Sequence, residues 1–115
     1  MANSLNLKIL FAAQLELDEI ALMHNQLVGP ESAKKITNKL LNSISRLIDY
    51  PQMGMLITDR ELRMLEYRKL VCDNYLVFYR KIADTIFVYH IVDGRSDYPR
   101  LFSDSKNESN MDSGT

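Results

Sequence analysis

The sequence predicts an α+β domain in which a helical hairpin packs on a small antiparallel sheet, in the order β-α-α-β-β-β. Three observations carry this. Apolar residues alternate near the start, fall at helical spacing from Phe11 to Leu47 with one break at Gly29-Pro30, and return as strand-like runs after Leu65. The runs after Leu65 are separated by connections of two residues, Asp73-Asn74 and Ala83-Asp84, short enough to be hairpins. The chain has 115 residues, 46% apolar and 25% charged, which suits a single core.

"LNLKIL" places Leu5, Leu7 and Ile9 at period two, so it reads as a strand that joins the sheet edge. From Phe11 the period lengthens: Ala13, Leu17, Ile20, His24 and Leu27 share one helical face up to about Val28. Gly29-Pro30 ends that helix and starts the next, with Pro in the first turn and Glu31 suited to the helix dipole. Ala33, Ile36, Leu40, Ile44 and Leu47 form the stripe of the second helix, and Lys34, Lys35, Lys39 and Arg46 form its solvated face. "YPQMG" is a turn, and residues 55–64 read as a loop. Strands are expected at Leu65–Val71, Tyr75–Ile82 and Thr85–Val92. "SDYPRLF" is read as a closing helical turn or a last short strand. The domain spans residues 1–102, and the polar stretch 103–115 is expected to be a disordered tail.

Two-residue hairpins fix the pairing as Ile82 with Thr85, Arg80 with Phe87, Val77 with His90, Cys72 with Tyr75 and Arg68 with Tyr79. One sheet face then holds Val71, Leu76, Phe78, Ile82, Phe87 and Ile91 and is expected to meet the helices. The other gathers Arg68, Tyr75, Tyr79, Lys81 and His90 around Leu70, Val77 and Val88. Cations, phenols and an imidazole on one open face would make a functional patch. A slip of one residue exchanges the two sets.

The formal net charge is −1, from 14 basic and 15 acidic residues, which argues against strong autonomous binding to nucleic acid and leaves room for a local basic patch. Cys72 is the lone cysteine, so there is no internal disulfide, and no metal-ligand spacing accompanies it. No basic leader precedes an apolar run and no segment is long enough to span a membrane, so a cytoplasmic protein without membrane association is expected. Gly-rich phosphate loops and nucleophile turns are absent, and no cofactor or metal is expected. Chemistry here would be metal-free acid–base work, of the kind that cleaves RNA by using the ribose 2′-OH as nucleophile. His90 is either a general base or, as preferred, a packed imidazole. His24 reads as structural or as an interface residue. Arg68 on a strand requires an anionic partner, with Glu66, Asp97 or a phosphate as candidates. Tyr79 and Tyr98 read as packing residues, and Arg95 sits at the end of the last strand.

The stretch "YRKLVCDNYLVFYRKIADTIFVYHIVDGRSDYPRLF" resembles the C-terminal half of RelE/ParE-type toxins of bacterial type II toxin–antitoxin modules. Those carry an Arg-x-Leu-x-Val strand, a Tyr-x-Val-Phe-Tyr-Arg strand and a closing Gly-Arg-Arg-Asp-type segment. The matching residues are Arg68, Leu70, Tyr75, Val77, Phe78, Tyr79, Arg80, Gly94, Arg95 and Asp97, with Ser96 where a second arginine is common. "AAQLELDEI", "ESAKKITNKL" and "IDYPQMG" are similar to the family's helical hairpin and the turn after it, so the resemblance covers residues 5–102.

The resemblance implies a growth-inhibiting, plasmid-stabilising toxin neutralised by a cognate antitoxin. "FYR" followed by "DGRSDY" is closer to the ParE-like branch, which poisons DNA gyrase. The alternative is the RelE-like branch, a metal-independent endoribonuclease acting on mRNA at the ribosome. In that case Arg68 and Arg95 would hold the phosphate and His90 or Tyr98 would move the proton. A third reading is a decayed toxin that only binds its antitoxin. Target binding is expected at Arg68, Arg80, Lys81 and Arg95. Antitoxin binding is expected in a groove beside Leu17, Ile20, Ile36 and Leu40, with a strand added at the sheet edge. A homodimer, or a heterotetramer with the antitoxin, is the expected assembly.

Overall fold

The computed structural model describes residues 5–95 and Phe102. Strand β1 (Asn6–Ile9) runs straight into helix α1 (Phe11–Leu27), and helix α2 (Pro30–Ser45) follows after two residues. Gly29 makes that turn at φ 140°, a conformation that L side chains rarely adopt, and Pro30 opens α2 where its missing N–H costs nothing. A single 3₁₀ turn (Arg46–Ile48) extends α2 and buries Leu47.

The segment expected to be a loop is folded. It holds a two-residue strand β2 (Met55–Leu56) and a short helix α3 (Arg60–Met64). Asp59 caps α3 by accepting a hydrogen bond from the Leu62 N–H at 3.1 Å, and Leu62 is buried. Glu66 then turns the chain at φ 63°, so β3 is Arg68–Cys72 rather than Leu65–Val71. Strands β4 (Tyr75–Ile82) and β5 (Thr85–Asp93) fall where the pattern placed them.

The described strands form one sheet in the order β1-β5-β4-β3-β2, with β1 parallel to β5 and the other pairs antiparallel. Arg68 pairs with Tyr79, Cys72 with Tyr75, Arg80 with Phe87 and Ile82 with Thr85, as expected. The pairing of Val77 with His90 does not occur. The register shifts between Phe78 and Tyr79, so Phe78 meets His90, Val77 meets Ile91, and Tyr89 is the extra residue of a bulge.

The faces are also exchanged. Tyr75, Val77 and Tyr79, with Leu70, Cys72, Ile86, Val88 and Ile91, pack against Ala13, Leu17, Ile20, Ile36, Leu40 and Ile44 of the helices. Leu76 and Phe78 lie on the opposite side in a second cluster with Ile57, Leu62, Tyr67 and Phe102, while Val71 is exposed. The physical reason is that the sheet is covered on both sides, by the helical hairpin on one and by the β2–α3 segment with Phe102 on the other. Both faces are therefore apolar, and apolarity alone does not say which one meets the helices.

The closing segment containing Ser96, Asp97, Tyr98 and Arg100, and the tail 103–115, lie outside the described residues apart from Phe102. No described helix is long and apolar enough to cross a membrane.

Candidate functional site

Of the residues expected to share one patch, Arg68 and Tyr79 meet at one turn, while His90 and Arg95 are held elsewhere by their own partners. Arg68 pairs opposite Tyr79 and so lies on the helix side of the sheet, past the hairpin's end. Its Nη1 donates to the Gly54 carbonyl at 2.7 Å. The Tyr79 hydroxyl joins the same turn. It accepts from the Gly54 N–H at 2.8 Å and donates to the Pro51 carbonyl at 2.8 Å. Burial pushes the Tyr79 phenol pKa up, while the Gly54 N–H and the Arg68 charge pull the other way. Gly54 is required here: a Cβ would sit 2.7 Å from both the Lys69 carbonyl oxygen and the Tyr79 ring. None of the three anionic partners considered for Arg68 is needed to explain its place, because the Gly54 carbonyl accepts a hydrogen bond from its guanidinium.

His90 pairs opposite Phe78 and so belongs to the other side. Its ring meets Phe102 edge-on at 5.1 Å, and its Nδ1 lies 3.1 Å from Glu16 of α1. The same carboxylate accepts from the Ile91 N–H at 3.0 Å. Strand β1 ends its pairing at Val88, so Glu16 occupies the place where a further strand residue would bond β5. Arg95 is 93% exposed and is clamped by Asp93, with Nε at 3.1 Å and Nη2 at 3.2 Å from the two carboxylate oxygens. The hydrogen bonds from Arg95 hold the Asp93 carboxyl below its ordinary range. Lys81 is exposed near the end of β4, on the helix side by register with Ile86. Tyr98 lies outside the described residues.

His24 is structural. Its Nδ1 lies 3.1 Å from Ser32 Oγ of α2 and its Nε2 lies 3.0 Å from the Tyr75 hydroxyl of β4, so one imidazole ties both helices to the sheet. Leu17, Ile20, Ile36 and Leu40 are all buried against the sheet, so the groove expected beside them is core. The apolar surface of α1 lies elsewhere, on Phe11, Leu15 and Leu22, which are 78%, 45% and 55% exposed. Those three recur on one helical stripe, a pattern visible in the sequence and outweighed there by the stronger stripe of Leu17 and Ile20.

The side of the sheet away from the helices holds Arg80. Arg80 stacks on Tyr67, its guanidinium carbon 5.0 Å from the ring centroid. Its Nε is buried and makes no hydrogen bond. Burial pushes the Tyr67 phenol pKa up, reinforced by Tyr89 and opposed by Arg80. Tyr67 meets Tyr89 at 4.9 Å and Phe102 at 4.8 Å, both edge-on. The described residues contain no group of three or more His, Cys, Asp or Glu able to hold a metal ion.

A family profile described as "ParE toxin of type II toxin-antitoxin system, parDE" matches residues 8–98 of this chain. A solved structure described as "Chromosomal ParDE TA system from P. aeruginosa" superimposes with a TM-score of 0.67 at 20% identity. The match covers 80% of this chain and 98% of that one, and shows a shared fold. Comparison with curated proteins finds no match.

Proposed function

The chain belongs to the ParE toxin family of type II toxin–antitoxin systems, and from that premise we propose that it arrests growth by poisoning DNA gyrase until a cognate antitoxin neutralises it. The observation that supports a gyrase poison over a ribonuclease is the separation of the groups a nuclease would use. Arg68 and His90 lie on opposite sides of the sheet, and Arg68, His90 and Arg95 are engaged by Gly54, Glu16 and Asp93. Metal-free cleavage of RNA needs a proton acceptor and a phosphate-holding cation converging on one atom pair. A poison that acts by binding needs no such convergence.

The antitoxin then docks on what the fold exposes. The outer stripe of α1, with Phe11, Leu15 and Leu22, takes an apolar segment, and the open edges of β1 and β2 take a strand. Both gyrase and the toxin act in the cytoplasm in this reading.

Purified protein in a gyrase supercoiling assay, run beside a translating-ribosome assay, tests the proposal. The expected result is loss of supercoiling with intact mRNA. Cleaved mRNA with unaffected gyrase overturns it in favour of the ribonuclease, and absence of any growth defect on expression favours a decayed toxin.

A further inference from the structure

We propose that the outer half of strand β5, where it runs beside α1, is a docking groove for an extended basic segment of a partner protein, and that Glu16 is the plug such a segment displaces. This goes beyond the gyrase reading and does not depend on it. The groove is separate from the outer stripe of α1 and from the edges of β1 and β2.

The register leaves this edge without a neighbouring strand. β1 pairs with β5 from Thr85 to Val88, and β5 continues to Asp93. The Leu10 N–H donates to the Val88 carbonyl at 3.0 Å, and the chain then enters α1. Beyond Val88 no described strand pairs with that side of β5, and the Ile91 N–H donates instead to the Glu16 carboxylate at 3.0 Å. A side-chain oxygen thus fills the position that the carbonyl of an adjacent strand takes in a sheet. Exchanging one acceptor for the other leaves the Ile91 amide paired throughout, so the exchange costs little.

The chemistry of the groove selects its occupant. Ile20 and Met23 of α1 and Ile91 of β5 line a cleft of about 310 Å³, and Glu16, Glu19 and Asp93 stand in its walls. No Lys or Arg lines it. Arg95 clamps Asp93 from outside, and both side chains of that pair are exposed, so it exchanges readily for another cation. An apolar floor with carboxylates above it suits a long cationic side chain. The methylenes of an Arg or Lys lie along Ile20 and Met23, and the head group reaches Glu19 and Asp93. The segment must be extended, because a strand offers a free carbonyl to Ile91 while sending alternate side chains toward α1, whereas a helix has used its carbonyls internally.

The test is an NMR titration of the isotope-labelled full chain with a synthetic peptide of alternating Val and Arg. A peptide of alternating Val and Glu, and a copy of the basic peptide N-methylated throughout, are run beside it. The basic peptide should shift the amides of Ile91 to Asp93 and of Glu16 to Met23, and less so as salt rises. The acidic peptide should not, and the N-methylated copy should not, because it keeps the charge and loses strand pairing. Glu19→Lys reverses an exposed charge and should weaken the basic peptide by about tenfold or more, with melting unchanged. Glu16→Gln keeps an oxygen for Ile91, removes the charge and should weaken it by about two- to fivefold. Equal binding of acidic and basic peptides, shifts elsewhere on the chain, or unchanged affinity in both variants overturns the proposal. So does silence at Ile91 toward every peptide together with self-association of Glu16→Ala in sedimentation, which would make Glu16 a guard against edge pairing between copies. None of these readouts uses gyrase or growth, so their failure is distinct from failure of the gyrase reading.

Discussion

Replacing Tyr79 with Phe removes one oxygen atom and tests whether the Tyr50–Gly54 turn is held by side chains. The Tyr79 side chain is fully buried, and its hydroxyl bonds the Gly54 N–H and the Pro51 carbonyl, each at 2.8 Å. Phe fills the same ring space, so no cavity term enters. The Gly54 N–H is buried and would be left without a partner, at a cost of about 1–3 kcal/mol. The Pro51 carbonyl is partly exposed and regains water, so its loss adds about 0.5–1 kcal/mol. The sum is about 1.5–4 kcal/mol, a large share of the roughly 5–15 kcal/mol that holds a domain folded. Urea denaturation followed by circular dichroism should show the midpoint falling with an unchanged slope. Gly54→Ala should cost at least as much, because its Cβ meets backbone at Lys69 as well as the Tyr79 ring. A Tyr79→Phe variant within about 0.5 kcal/mol of wild type, the usual range for a surface substitution, would refute the reasoning.

Glu16→Ala should free the Ile91 amide and destabilise by about 1.5–3 kcal/mol, with faster hydrogen exchange at Ile91 than at the amides of β4. Burial raises the phenol pKa of Tyr67, Tyr75 and Tyr79 above the ordinary value of 10.0, so folding holds their protons more tightly than the unfolded chain does. Their contribution is fully present below pH 10.0 and is lost as pH rises through the folded values, so stability should fall in that window, and phenolate absorbance should show late-titrating tyrosines. Ala83 turns the last hairpin at φ 55°, so Ala83→Gly should raise the denaturation midpoint by the equivalent of about 1 kcal/mol.

Helical spacing from Ala13 to Leu47 identified both helices because one side alone of each is buried, and the break at Gly29-Pro30 leaves no other place for the turn. The two hairpins followed from their short connections, which fix register locally. The bulge at Tyr89 did not, since an extra residue in mid-strand has no marker comparable to Gly or Pro. Helix α3 was hidden because five residues show too little of the helical period, and its cap, Asp59, lies in a stretch already rich in polar residues. The two sheet sides are the feature least legible in the sequence. Phe78 and Leu76 look as apolar as Tyr75 and Val77, because a second cluster covers them. The strand pattern puts Tyr75 and Tyr79 on the open side, whereas both bury their rings under the helices and send their hydroxyls to His24 and to the turn.

Arg68 and Arg80 show how this exchange of sides alters the reading of any mutational scan. The two look alike in the sequence, each an arginine on a strand of the sheet, and loss of toxicity on replacing either would suggest contact with a target. In the fold they differ in kind. Arg68 holds the Gly54 carbonyl, and the turn it holds is also the anchor of Tyr79. Removing it loosens backbone beneath the helical hairpin, so a harmless Arg68→Ala variant measures stability as much as binding. Arg80 stacks on the Tyr67 ring, and its buried Nε makes no hydrogen bond. Replacing it removes a buried unpaired donor and leaves the backbone turns untouched. Loss of toxicity with undiminished thermal stability is therefore the signature expected of Arg80→Gln, and it separates a contact with the target from damage to the scaffold.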